Sequence, residues 1–136
     1  MEAAVVSEKA EKSGSWSNIA LWIVQLGVGA MFLMAGFGKL SGDPMMVAVF
    51  EKVGVGQWFR YLTGTLEVLG GLGLFTPFAS GAAALGLVFV MIGAVLSHLL
   101  ILGGSPAPAV VLLVASGVIA WGRRSQLVAL LRHIAK

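Results

Sequence analysis

Cysteine is absent from this 136-residue chain, which excludes a dithiol relay, a thiolate nucleophile and any cysteine-ligated metal cluster. Charge is scarce too: Asp, Glu, Lys and Arg make up 11% of the residues, against about 25% in soluble domains. The charges gather in the two tails and one connecting segment, and no basic cluster carries interleaved aromatics. The formal net charge of +3 therefore reflects membrane topology, and no nucleic-acid partner is expected. His98 and His133 are the two histidines, in segments expected to end on opposite sides of a membrane, which argues against a bis-histidine haem within one copy. The methionines Met31, Met34, Met45, Met46 and Met91 are ordinary apolar packing without clustered histidine, so no metal site is expected.

What is abundant is apolar: 58% of residues are hydrophobic and the mean hydropathy is +0.96. One domain fits this length. Four apolar runs approach the roughly 20 residues needed to cross a bilayer: 17–40, 60–77, 79–102 and 106–121. In lipid such runs must be helical, because nothing else there satisfies the backbone. The expected fold is all-α, an integral membrane four-helix bundle over 16–122. A mobile N-terminal tail is expected over 1–15 and a basic amphipathic segment over 123–136. Pro77 and the Pro106/Pro108 pair fall at helix edges, where a missing N–H costs least. Trp16, Trp58, Phe59, Tyr61 and Trp121 lie near the ends of the runs, as interfacial aromatics do.

Two short interfacial helices complete the plan. Asp43-Pro44 reads as an N-cap and first-turn pair. Met45, Met46, Val49, Phe50 and Val53 then share a face, and Gly54-Val55-Gly56 ends the helix on the outer surface. At the C-terminus Leu127, Leu130, Leu131 and Ile134 form a face, with Arg132, His133 and Lys136 placed to meet anionic headgroups. Lys9, Lys12, Arg123, Arg124, Arg132 and Lys136 fall on the side of the tails, whereas Lys39, Lys52 and Arg60 fall on the other. Positive residues favour the cytoplasm, so both termini are expected inside and the plasma membrane is the expected location.

Glu67 is the sole acidic residue within any of the long apolar runs. An ionisable group at membrane depth costs about 2.5–3.5 kcal/mol on insertion scales and usually faces a helix-lined interior or a water-filled cavity. Its helical neighbours Thr63, Gly64, Gly70 and Gly71 are small, which suits a packed interface. Lys39 ends the first run, Arg60 opens the second, and His98 lies one turn from the end of the third. Antiparallel topology places all four at the outward end, with Glu67 and His98 each about 6–10 Å deep. Glu67 and His98 are the candidate proton-handling groups, and Lys39, Arg60 and Thr63 the candidate binding residues. Each also has a structural reading: Glu67 as an acid locking the second helix to Lys39 or Arg60, His98 as a satisfied interfacial histidine, Lys39 and Arg60 as snorkelling end residues. Gln25, in the inner half of the first run, reads as an interhelical hydrogen bond. Ala82/Gly86 and Gly93/Ser97 read as a close-packing face of the third run.

The end of the first run, Ala35-Gly36-Phe37-Gly38-Lys39-Leu40, resembles the G-x-x-K-[LF] close of helix one in DoxX and DoxX-like membrane proteins. The stretch Gly64-Thr65-Leu66-Glu67-Val68-Leu69-Gly70-Gly71-Leu72-Gly73-Leu74 resembles their G-x-[LI]-E-x-x-[GA]-[GA]-L-x-L element. Pro77 and the small-residue third helix ending at His98 agree, and the similarity covers about 17–122. This resemblance implies a four-helix membrane protein associated with quinone-linked oxidation, as in a membrane subunit of thiosulfate:quinone oxidoreductase, or with oxidative-stress complexes. Related animal proteins resemble assembly factors for other membrane proteins. Three functions remain open on these grounds. The first is a redox-associated subunit with a polar outer cavity and a bound quinone; since the chain lacks a redox centre, it would act as part of an oxidoreductase. The second is a membrane-embedded acid/base enzyme on a lipophilic substrate, and the third a non-catalytic assembly subunit. No covalent cofactor is expected. Beyond lipid, the expected partners are a redox enzyme subunit or another membrane protein. Self-association is also expected, because four short helices bury little alone.

Overall fold

The computed structural model describes the backbone from Glu2 to Ala135 and the side chains of Glu2 and of 15–135. Helices account for every regular element among these residues: α1 (Glu2–Leu40), α2 (Pro44–Val53), α3 (Gln57–Leu74), α4 (Ser80–Ser97), a π turn (His98–Leu102), α5 (Ala107–Gly122) and α6 (Arg124–Ile134). α1 packs on α3, α3 on α4, α4 on α5, and α5 returns to α1. Phe32, Leu74, Ala84, Leu87, Met91 and Ile119 fill the space between them.

Two of these helices are long and apolar enough to cross a membrane, Ser15–Leu40 and Ser80–Leu102; the α5–α6 pair, bent by 64°, makes a third if taken as one span. The expected second run falls on α3, whose Arg60, Glu67 and several glycines dilute its apolar content. The expected fourth falls on α5, which has 16 residues. Either helix is shorter or more polar than a generic span. The chain is thus an all-helical membrane protein with two to three candidate spans.

Helix α1 runs back to Glu2, so the backbone over the expected tail is helical; the packing face expected of α4 needs correction. The Glu8, Lys9, Glu11 and Lys12 side chains, like Lys136, lie outside the described residues. Ala82, Gly86 and Gly93 of α4 point away from the protein, and nothing lies within 4 Å of a Cβ built on Gly86 or Gly93. The packed face of α4 is Ser80, Gly81, Ala84, Leu87 and Met91. Small size alone does not choose a face; the choice is made by Leu87, which presses on the glycine backbone of α3 at Gly70.

Helix α2 follows its sequence signals. The Asp43 side chain accepts from the Met45 N–H at 2.9 Å, and Gly54, at φ 83°, closes the helix with its N–H donating to the Phe50 carbonyl. Phe50 is buried and meets the Phe59 ring at 5.9 Å, whereas Met45 stands exposed instead of joining the packed face. Helix α2 therefore lies across one end of the molecule, against α1, α3 and the π turn.

Candidate functional site: a buried ion pair at a glycine crossing

Helices α1 and α3 are antiparallel and touch backbone to backbone at two places. A Cβ on Gly36 would come within 2.7 Å of the Gly64 carbonyl, and one on Gly71 within 3.0 Å of the Gly29 carbonyl. Each helix thus supplies two glycines seven residues apart, which keeps both contacts on one face and lets the backbones approach as side chains would not.

That approach brings the site together. Side chains on a helix lean toward its N-terminus, so Lys39 reaches inward from the end of α1 while Glu67 leans outward along α3. Lys39 Nζ comes to 2.9 Å from Glu67 Oε2, the one ion pair among the described residues. Glu67 is 2% exposed and Lys39 14%, so the carboxylate is sealed and the ammonium is its edge toward the surface. The approach is close but poorly directed. It meets the distance of an ion pair, while Oε2 receives no hydrogen bond of good angle.

Arg60 does not meet Glu67. Its Nη1 donates to the Lys39 carbonyl, at the negative end of α1, and its Nε donates to Gln57 Oε1 at 2.7 Å. The guanidinium also lies 4.3 Å from the Tyr61 ring, and burial to 5% exposure marks it as an internal strut and not a snorkelling end. Gln57 Nε2 in turn donates to the Val47 carbonyl of α2 at 3.0 Å. A polar chain therefore runs from α2 through Gln57, Arg60 and Lys39 to Glu67. Gln57 was not among the sequence candidates, although its position three residues before Arg60 on one helix face was the available signal.

The remaining candidates bond within their own helices. Thr63 Oγ1 donates to the Phe59 carbonyl at 2.8 Å, and His98 Nδ1 lies 3.1 Å from the Ala94 carbonyl, an arrangement that fits an Nδ1–H tautomer. His98 is half-buried where α4 passes into the π turn. Lys52 of α2 donates to the Leu102 carbonyl at 3.0 Å, so the π turn shares the end of the molecule occupied by Lys39 and Arg60. Among the described residues no group of three His, Asp or Glu side chains is placed to hold a metal.

A second polar knot closes the opposite end. Gln25, fully buried, donates to the Leu74 carbonyl at 2.8 Å, which is the interhelical bond expected of it. Its Oε1 accepts from Arg123 Nε at 2.7 Å, and Arg123 Nη1 reaches Asn18 Oδ1 at 2.8 Å. Gln126 accepts from the Gly81 N–H at 2.9 Å and from Ser80 Oγ at 3.3 Å, and donates to the Pro77 carbonyl at 3.0 Å. Four chain segments meet there through side chains that single-helix periodicity does not flag.

No curated protein and no solved structure matches the chain. The model of the DoxX-like family matches residues 23–123, a stretch that contains both glycine crossings and the Lys39–Glu67 pair. The chain belongs to the DoxX-like family.

Proposed function

We propose that this protein is a non-catalytic membrane subunit that supports the assembly of another membrane protein, with α1, α3, α4 and α5 all crossing the bilayer and both termini cytoplasmic. The observation that carries this reading is the enclosure of Glu67: sealed at 2% exposure, paired with Lys39, and wedged against backbone contacts that no side chain could enter. A carboxylate so placed fixes one helix to another; a carboxylate that cycles protons or ligands needs an approach from solvent or substrate. Partner docking then falls to the outward faces of the helices, where Ala82, Gly86 and Gly93 offer a surface suited to close helix contact.

A second reading, the quinone-linked redox subunit, is favoured by one arrangement: Lys39, Arg60, His98 and Glu67 all belong to the end capped by α2. There, displacement of the partly exposed Lys39 would open Glu67 to a quinone headgroup, with electrons supplied by a partner. Native mass spectrometry of the protein extracted gently from its own membrane, with quinone analysis of the lipid extract, separates the two. Under the assembly reading a protein partner is retained in Glu67→Gln and lost in Gly86→Leu, a substitution on the outward face where an added Cβ meets nothing of the protein within 4 Å. A bound quinone that disappears in Glu67→Gln would overturn it in favour of the redox subunit.

A further inference from the structure

Helices α5 and α6 meet at a 64° bend. The bend frames a groove of about 500 Å³ lined by Gly122, Arg124, Ser125, Val128, Ala129 and Arg132. The last five recur at i, i+1, i+4, i+5 and i+8, so they form one continuous face of α6. Its floor is small and its two ends are cationic.

Arg124 is held ready by its neighbours. Its Nη1 donates to the Trp121 carbonyl at 2.8 Å and its guanidinium lies 4.4 Å from the Trp121 ring. Neither contact neutralises it. The chain contains no Asp or Glu after Glu67, and no described carboxylate pairs with Arg124 or Arg132. The two arginines are about 12 Å apart along the helix axis, a spacing that two long side chains close over one anion between them.

We propose that this groove binds the phosphate of an anionic phospholipid, with Arg124 and Arg132 as its two donors. Arginine forks pair two N–H groups with two phosphate oxygens, a geometry that a solvated lysine does not reproduce. The surroundings select a lipid as the source of the phosphate. Trp121 is 70% exposed at the end of α5, and Val128, Leu131 and Ile134 are exposed on α6 without protein partners. Indole rings and apolar helix faces of this kind sit at the headgroup level, where acyl chains begin. Gly122 keeps the junction tight: a Cβ there would come within 2.6 Å of Leu21, so the bend is pinned to α1 and the groove keeps its shape.

The test is lipid retention by the full chain. The protein is purified from mixed phosphatidylglycerol and phosphatidylcholine vesicles into mild detergent, and bound lipid is counted by native mass spectrometry. Wild type should retain phosphatidylglycerol at least about fivefold over phosphatidylcholine, and Arg124→Gln/Arg132→Gln should abolish that preference. Val128→Glu, which leaves both arginines and adds a carboxylate between them, should abolish it as well, and circular dichroism checks that helix content is kept in both variants. Lys52→Gln, a cation at the other end, should leave it unchanged. Equal retention of the two lipids by wild type, or undiminished preference in both groove variants, would overturn the proposal. So would displacement of the lipid by millimolar inorganic phosphate, which would identify a soluble phosphate as the ligand.

Discussion

Lys39 and Glu67 form a pair whose members are not equivalent. Removing the ammonium leaves a carboxylate that is almost wholly enclosed, whereas removing the carboxylate leaves an ammonium at the molecular edge. Breaking a buried pair from one side costs about 3–5 kcal/mol when the remaining charge is uncompensated. Lys39→Met should therefore lower stability by about that amount, and Glu67→Gln by about 1–2 kcal/mol, within the range for polar contacts in membranes. The double variant Lys39→Met/Glu67→Gln should be more stable than Lys39→Met alone. Unfolding in mixed micelles, followed by circular dichroism, measures all three. Equal losses for the two single variants would show that the carboxylate is not sealed in the membrane. The inward placement of Glu67 was legible in the sequence because an acid within an apolar run is rare and is costly to leave facing lipid. Its partner was not: Lys39 and Arg60 were both within reach by topology. The choice rests on the lean of each side chain and on Arg60 being occupied by Gln57 and the end of α1.

At the scale of elements the decisive contact is α1 against α3. Gly36 and Gly38 are two residues apart and look alike in sequence, yet a Cβ on Gly36 would strike the Gly64 backbone while one on Gly38 meets nothing within 4 Å. Gly36→Leu should separate the helices and abolish folded protein in detergent, whereas Gly38→Leu should express at the wild-type level. Size-exclusion profiles of the two variants provide the comparison. The helices themselves, the α2 caps and the buried role of Gln25 followed from run length, Asp43-Pro44, Gly54 and an isolated amide in lipid. The face of α4 did not follow, because Gly86 and Gly93 satisfy the small-residue pattern as well as Gly81 does, and they are separated by tertiary contacts, of Gly81 with Arg123 and Gln126 and of Leu87 with Gly70. The second polar knot was equally hidden. Gln126 bonds Ser80, Gly81 and Pro77 from 45 or more residues away, a relation that no local spacing encodes. Gln126→Ala should release α6 from the start of α4. Hydrogen exchange over 124–134 should then accelerate about tenfold while α1 and α3 keep their protection, which follows from losing bonds that anchor α6 without touching the main core.

For the whole molecule the number of helices that cross the bilayer is directly measurable, because the chain lacks cysteine and accepts single-cysteine reporters. Ser41 follows α1, Phe78 lies between α3 and α4, Ser105 precedes α5, and Ser125 opens α6; each has a side chain on the surface. The bonds that tie Gln25 to Leu74, Gln126 to Gly81 and Arg123 to Asn18 place the start of the apolar part of α1, the end of α3, the start of α4 and the end of α5 at one end of the molecule. A common end for these four gives the helices alternating direction, the arrangement expected if α3 and α5 cross as proposed despite their polar content and short length. Helix α3 is about 27 Å long and α5 about 24 Å, close to the roughly 30 Å hydrocarbon core, a difference that local thinning would accommodate in a four-span arrangement. Single substitutions Ser41→Cys, Phe78→Cys, Ser105→Cys and Ser125→Cys, treated in intact cells with a membrane-impermeant maleimide, read this directly. Ser41→Cys and Ser105→Cys should label from outside, while Phe78→Cys and Ser125→Cys should label after permeabilisation alone. Labelling of Ser41→Cys together with Phe78→Cys from one side, and of Ser105→Cys together with Ser125→Cys from the other, would leave α3 and α5 folded back within a leaflet. The pattern with inside and outside exchanged would keep the four spans and reverse the orientation drawn from Arg123, Arg124 and Arg132.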